Sequence, residues 1–165
     1  MTALQIRDAV APDAEAACVV MRRSIAELCA ADHRDDPKIL AQWLANKRPE
    51  ILRDWMARPG QSFLVATDGD SIRGVELVTD AGEITLNYVS PDARFCGISR
   101  ALLAALERRA VERGNAHCTL ASTATARRFY LTNGYVETGN GYVETGPPRG
   151  NFGTQSGFPM RKVLG

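Results

Sequence analysis

Leu4 to Val10 alternates apolar and polar positions, the period of a half-buried strand. After Pro12-Asp13 the period changes. Ala14, Ala17, Cys18, Met21, Ile25 and Leu28 recur at steps of three and four, one apolar helix face, with Asp13 as the predicted N-cap. Ala31 to Asp36 is polar and reads as a loop ending at Pro37, a good helix start. Ile39, Leu40, Trp43 and Leu44 predict a second helix. Ile51, Leu52, Trp55 and Met56 predict a third, with a break near Lys47 and a restart at Pro49. The two tryptophans fit the core side of this pattern.

Three strands follow. Ser62–Thr67, Ser71–Val78 and Glu83–Val89 are joined by Asp68-Gly69-Asp70 and Asp80-Ala81-Gly82, which predicts an antiparallel meander. The next helix carries Ile98, Leu102, Ala105 and Leu106 inward and closes at Gly114. Cys118–Ala121 is a short strand, and the helical crossover makes it parallel to the strand at 83–89. A helix capped by Ser122 or Thr123 runs to Gly134. Gly-Tyr-Val-Glu-Thr-Gly then occurs twice, at 134–139 and at 141–146. One copy is the strand after the helix; the other is a loop insertion or a strand extension. Asn140-Gly141 between them is a hairpin turn signal. Gly157–Val163 is the final strand.

Composition narrows the classes. A chain of 165 residues, 45% hydrophobic and 24% charged, reads as one domain over 1–165. A net charge of +1 argues against a dedicated nucleic-acid binder. No apolar run approaches the roughly 20 residues that span a bilayer, and the N-terminus lacks a signal-peptide pattern, so no membrane partner is expected. Cys18, Cys29, Cys96 and Cys118 show no C-x-x-C spacing and read as reduced thiols of a cytoplasmic protein. His33 and His117 are not spaced as metal ligands, so no metal is expected.

The chemistry concentrates at Ile84–Leu106. A strand ends at Val89-Ser90-Pro91. Arg94-Phe95-Cys96-Gly97-Ile98-Ser99 follows and opens a long helix. The free amides of a helix start attract an anion, and Gly97 lets it approach the backbone. Arg94 and Arg100 add positive charge. The stretch has no G-x-G-x-x-G and no Gly-Lys-Ser/Thr. It resembles the pyrophosphate loop of the GNAT (GCN5-related N-acetyltransferase) superfamily, Gln/Arg-x-x-Gly-x-Gly/Ala, here Arg94-x-x-Gly97-x-Ser99. Ser99 departs from the last position. A second motif of that superfamily, Asn-x-x-Ala-x-x-Phe-Tyr-x-x-x-Gly-Phe, is matched by Thr123, Ala126, Phe129-Tyr130 and Gly134-Tyr135, with Thr123 in place of Asn. The resemblance covers 62–139 well.

The resemblance implies an α/β (in some schemes α+β) GNAT fold, a mixed, mainly antiparallel sheet with helices on both faces. It implies acetyl transfer from acetyl-CoA to a primary amine of a small molecule or protein, by direct attack in a ternary complex. CoA would sit on Tyr88, Val89, Arg94, Phe95, Cys96, Gly97, Ile98, Ser99, Arg100, Thr123, Phe129 and Tyr130. Tyr130 matches the tyrosine that protonates the departing thiolate in many members. Period-two alternation puts Glu83, Thr85, Asn87 and Val89 on one strand face. Glu83 stands six residues before Val89, as the base glutamate of histone acetyltransferases does, and Asn87 would orient substrate or water. By the same analogy a homodimer through edge strands is expected. The departures at Ser99 and Thr123 leave an alternative, a non-catalytic acyl-CoA-binding regulator. An interaction module without CoA fits the intact Arg94-x-x-Gly97 loop poorly.

Overall fold

The computed structural model describes residues 3–139, 142–143 and 156–165. The elements are β1 (Leu4–Asp8), α1 (Ala14–Leu28), α2 (Ala30–His33), α3 (Pro37–Leu44), α4 (Pro49–Ala57), β2 (Gln61–Asp68), β3 (Ser71–Thr79) and β4 (Glu83–Val89). They continue as α5 (Ile98–Glu112), β5 (His117–Ser122), α6 (Arg127–Thr132), β6 (Val136–Glu137), β7 (Tyr142–Val143) and β8 (Ser156–Val163). One sheet runs β1-β2-β3-β4-β5-β8-β6, with β7 also on β8. Every pairing is antiparallel except β4 with β5, which the α5 crossover makes parallel.

Helices cover both faces. On one, Ala17, Met21 and Ile25 of α1, Trp43 of α3 and Leu52 of α4 pack on Phe63, Val65, Val75, Leu77, Leu86 and Tyr88. On the other, Leu103, Leu106 and Ala110 of α5 pack on Leu64, Val78 and Ile84. Gly74 of β3 lets α5 settle close: a Cβ there would stand 2.5 Å from Leu102 Cδ1. The alternation of β2 and β3 divides their side chains between the two faces, as the sequence predicts.

Four expectations change. First, β4 does not keep one period. Leu77 pairs with Leu86 and Val78 with Ile84, so Thr85 is an extra residue, a β-bulge. Ile84 therefore packs under α5 while Leu86 and Tyr88 pack under α1. Glu83 falls on the opposite face from Asn87 and Val89. Second, the polar stretch after α1 is partly helical. In α2, Asp32 and His33 are 7% and 1% exposed, because their polar atoms find buried partners. Third, Asp13 does not cap α1. Its carboxylate turns back, accepting from Val10 N at 2.8 Å and pairing with Arg7 at 2.7 Å. Fourth, the described residues of the two hexapeptide copies pair with β8 rather than with each other. Val136 and Glu137 pair with Arg161 and Met160, and Tyr142 and Val143 with Gly157 and Ser156. Tyr142 and Val143 of the second copy thus extend the pairing on β8, and the turn predicted at 140–141 lies outside the described residues.

Candidate functional site

The parallel pair β4/β5 is short. Registered pairs are Glu83 with Thr119 and Ile84 with Leu120, after which the strands part. The Thr85 bulge sits where they separate. The rest of β5 stays with β8, up to Ser122 opposite Phe158. A cleft of about 330 Å³ fills the opening. Its walls are Thr85–Val89 of β4, Leu120–Ser122 of β5, the start of α5 with its preceding loop, and Thr123 to Tyr130. Ser24, Leu28 and Cys29 line it from the α1 side.

The loop end of the cleft leads into α5. Ser90 starts a short 3-10 turn, its hydroxyl accepting from Asp92 N at 3.3 Å. Asp92 is clamped to α1 by Arg23 at 2.7 and 3.1 Å. Phe95 and Gly97 then take left-handed backbone at φ 64° and 77°, and Gly97 is the N-cap of α5. The first helical bond is Ala101 N to Gly97 O at 3.1 Å, so the amides of Ile98, Ser99 and Arg100 precede the helix ladder. A Cβ at Gly97 would meet nothing within 4 Å, so that face of the loop is open. The Arg94 guanidinium lies 4.7 Å over the Phe95 ring, which is 90% exposed. Arg94, Phe95, Gly97, Ile98, Ser99 and Arg100 line the cleft. Cys96 is exposed, donates to Arg94 O at 3.6 Å, and is not among the lining residues.

At the inner end, the Asn87 amide donates to the Tyr130 hydroxyl at 2.7 Å. Tyr130 is 5% exposed, and its ring meets Phe129 and Tyr135 edge-on at 5.3 and 5.5 Å. Burial raises the Tyr130 pKa, Glu76 raises it further, and the Asn87 hydrogen bond works the other way. Tyr88 contributes to the wall from β4, but its hydroxyl turns away to accept from Trp43 Nε1 at 3.1 Å. Trp43, 1% exposed, is core, whereas Trp55 is partly buried.

The turn before α6 is fixed from two sides. Thr123 Oγ1 accepts from Ala126 N at 3.1 Å. Asp32 of α2 accepts from Ala124 N at 2.7 Å, from Thr125 N at 3.1 Å and from the Thr125 hydroxyl. The three acids of the polar stretch 31–36 thus take different places. Asp32 anchors the cleft wall, Asp36 caps α3 through Lys38 N at 2.8 Å, and Asp35 is exposed.

The structure brings Asn87, Val89, Thr123, Phe129, Tyr130 and the loop residues other than Cys96 to one cleft. It does not bring Glu83, which is exposed beside Gly82 at the closed end of the pair and does not line the cleft. Sequence reasoning missed Asp32, whose partners are some ninety residues away. It also missed Glu76 of β3. Glu76 is fully buried, and neither carboxylate oxygen has a hydrogen-bond partner. Its place in a strand between β2 and β4 was its sole signal.

The family model described as the acetyltransferase (GNAT) domain matches residues 29–153. No curated protein matches the chain by sequence. Among solved structures, the GCN5-related N-acetyltransferase (aminotransferase, class-II) from Rhodopseudomonas palustris superposes with a TM-score of 0.84 at 24% identity, covering 99% of this chain and 98% of the other. The PaiA N-acetyltransferase from Thermoplasma acidophilum, in complex with coenzyme A, gives 0.80 at 20% identity over 98% and 99%. The ribosomal-protein-S18-alanine N-acetyltransferase from Escherichia coli gives 0.66 at 19% identity over 98% and 94%. At these identities the likeness is one of fold.

Proposed function

We propose that this chain, which belongs to the GNAT acetyltransferase family, moves an acetyl group from acetyl-CoA to a primary amine by direct attack in a ternary complex. The observation that carries the reading is the splay. β4 and β5 part after Ile84, and one cleft joins an open anion loop to a buried tyrosine. In this reading the CoA pyrophosphate lies on the Gly97–Arg100 amides, flanked by Arg94 and Arg100. Pantetheine runs in the gap along the backbone of Tyr88 and Val89, beyond the last register pair of β4 with β5. Thr123 and Phe129 form the opposite wall.

The amine attacks the thioester carbon, and a backbone N–H of β4 near Val89 holds the oxyanion. The C–S bond then breaks. Tyr130 gives its hydroxyl proton to the thiolate, forming CoA thiol, and Asn87 donates to the phenolate left behind. A phenol of about 10 against a thiol of about 8.5 makes this a modest acid, and burial makes it weaker still. Glu83 is too far along the strand for direct contact, so any base role for it runs through water. The acceptor enters from the side of Ser24, Leu28 and Cys29.

Calorimetric titration with acetyl-CoA and with CoA tests the cofactor half, with Gly97→Glu as control. Binding that the variant abolishes supports it; no binding at millimolar ligand sinks it. Thiol release with a diamine, an aminoglycoside and an alanine-led peptide then tests transfer. Binding without release from any amine would favour the regulator reading.

A further inference from the structure

Glu76 has no structural explanation in the fold. It stands on β3 between Val75 and Leu77, which face α1, so its own side chain faces α5. Its cross-strand neighbours there are Leu64 of β2 and Asn87 of β4. Directly opposite residues hold their Cβ atoms about 4.5–5.5 Å apart, and Asn87 is the residue that bonds the Tyr130 hydroxyl. The charged and titratable groups that bear on this face are Glu107 of α5 and Tyr130 of α6. Glu107 is already engaged, accepting from Lys162 Nζ at 3.0 Å and from the Tyr135 hydroxyl at 3.2 Å. No described cation reaches Glu76, and both its oxygens lack a partner. Burial, and then the Glu107 charge, push the pKa of a carboxylate so placed well above its ordinary value.

We infer that Glu76 is a positioning residue of the transfer, acting through Tyr130: as a neutral acid it permits Tyr130 to release its proton, and when ionised it forbids it. The inference rests on the transferase reading with Tyr130 as proton donor. The step itself is simple. The Tyr130 O–H bond breaks and an S–H bond forms on CoA, leaving one negative charge on the phenolate. With Glu76 neutral, that charge is the sole one at the inner end of the cleft, and Asn87 N–H stabilises it. With Glu76 ionised, two buried negative charges would stand on neighbouring groups with no cation between them. After CoA leaves, solvent in the open cleft returns the proton to Tyr130. The protons lost by the amine pass to solvent, so the sum is one amide, one thiol and one released proton per ammonium consumed.

The test is the pH dependence of thiol release from acetyl-CoA, with hydroxylamine as acceptor and the uncatalysed rate subtracted. Hydroxylamine is unprotonated at neutral pH, so acceptor ionisation stays out of the alkaline limb. Wild type is expected to fall about tenfold per pH unit once Glu76 ionises, while Glu76→Gln, a permanent mimic of the neutral acid, holds within about twofold. The same scan on Tyr130→Phe separates the two readings. If wild type and Tyr130→Phe are alike, the proton-donor reading fails and the inference falls with it. If Tyr130→Phe is slow but Glu76→Gln keeps the wild-type alkaline limb, the inference alone fails. A collapse of Glu76→Gln at neutral pH would make Glu76 a working carboxylate and overturn the proposal.

A second readout needs no turnover. A buried acid whose pKa is raised contributes full stability below the unfolded value and loses it as pH climbs toward the folded one. Wild type should therefore lose melting temperature relative to Glu76→Gln and Glu76→Leu as pH rises above about 4.3. A difference that stays flat with pH would overturn the neutral-acid assignment, whichever variant folds better.

Discussion

The Asn87 amide and the Tyr130 hydroxyl meet at 2.7 Å across a gap that no sheet hydrogen bond closes. The contact ties α6 to β4 where β5 has left it. Asn87 donates, so it stabilises the phenolate more than the phenol. Tyr130→Phe is expected to lower kcat by about 100-fold, the low end of general acid–base contributions, with little change in CoA affinity. Steady-state kinetics beside calorimetry checks this. Equal loss of CoA binding would make Tyr130 a packing residue instead.

Asp32 should matter to stability more than its surface-like sequence context suggests. Its carboxylate serves two backbone N–H groups and one hydroxyl at the turn before α6. Asp32→Ala leaves those donors in a half-dry wall and is expected to cost about 2–4 kcal/mol in urea unfolding. Asp32→Asn, which keeps an acceptor, should cost less than half of that.

Gly74 sets the distance between α5 and the sheet. Gly74→Ala puts a methyl 2.5 Å from Leu102 Cδ1 and 3.4 Å from the Tyr88 carbonyl. A loss of about 1–3 kcal/mol is expected from the overpacking. Leu102→Ala in the same chain should recover part of it, giving a favourable coupling in a double-mutant cycle. Additive losses would show that the helix, not the leucine, has to move.

Lys47 is a buried ammonium between α3 and α4, donating to Trp43 O at 3.4 Å and Asn46 Oδ1 at 2.6 Å. Burial lowers its pKa to about 7. The unfolded chain keeps that proton to about 10.4, so between the two values the unfolded state binds more protons and stability rises with pH. Below pH 7 the penalty is complete. Wild type should gain a few kcal/mol relative to Lys47→Met between pH 7 and 10. Urea midpoints across that range measure it, and a constant difference would place the ammonium in contact with water.

Much of this architecture could be read from the letters. The strand and helix order followed from apolar runs bounded by turn signals, which suit β2 and β3 because both of their faces are buried, and from three-and-four spacing in α1 and α5. The turn into α5 was legible because Gly97 takes a left-handed φ of 77° as the N-cap of that helix, a backbone role that is local in sequence. The bulge at Thr85 was not. The alternation of Glu83 to Val89 continues through it unbroken, and the extra residue exists only relative to the spacing of β3. That single slip is what removes Glu83 from the face of Asn87. Asp32 looked like one of three solvated acids because its partners arrive from distant chain. Glu76 looked like any polar strand position until helices were seen to cover both faces.

Val136-Glu137 and Tyr142-Val143, the described strands of the twin Gly-Tyr-Val-Glu-Thr-Gly segments, dock on one strand at successive places, near Met160 and near Gly157. Identical words thus receive different addresses. The letters of a copy cannot tell the chain which berth to take; the partners on β8 differ, Arg161 and Met160 for one and Gly157 and Ser156 for the other. The end of this sheet is written once, on the template, and read twice.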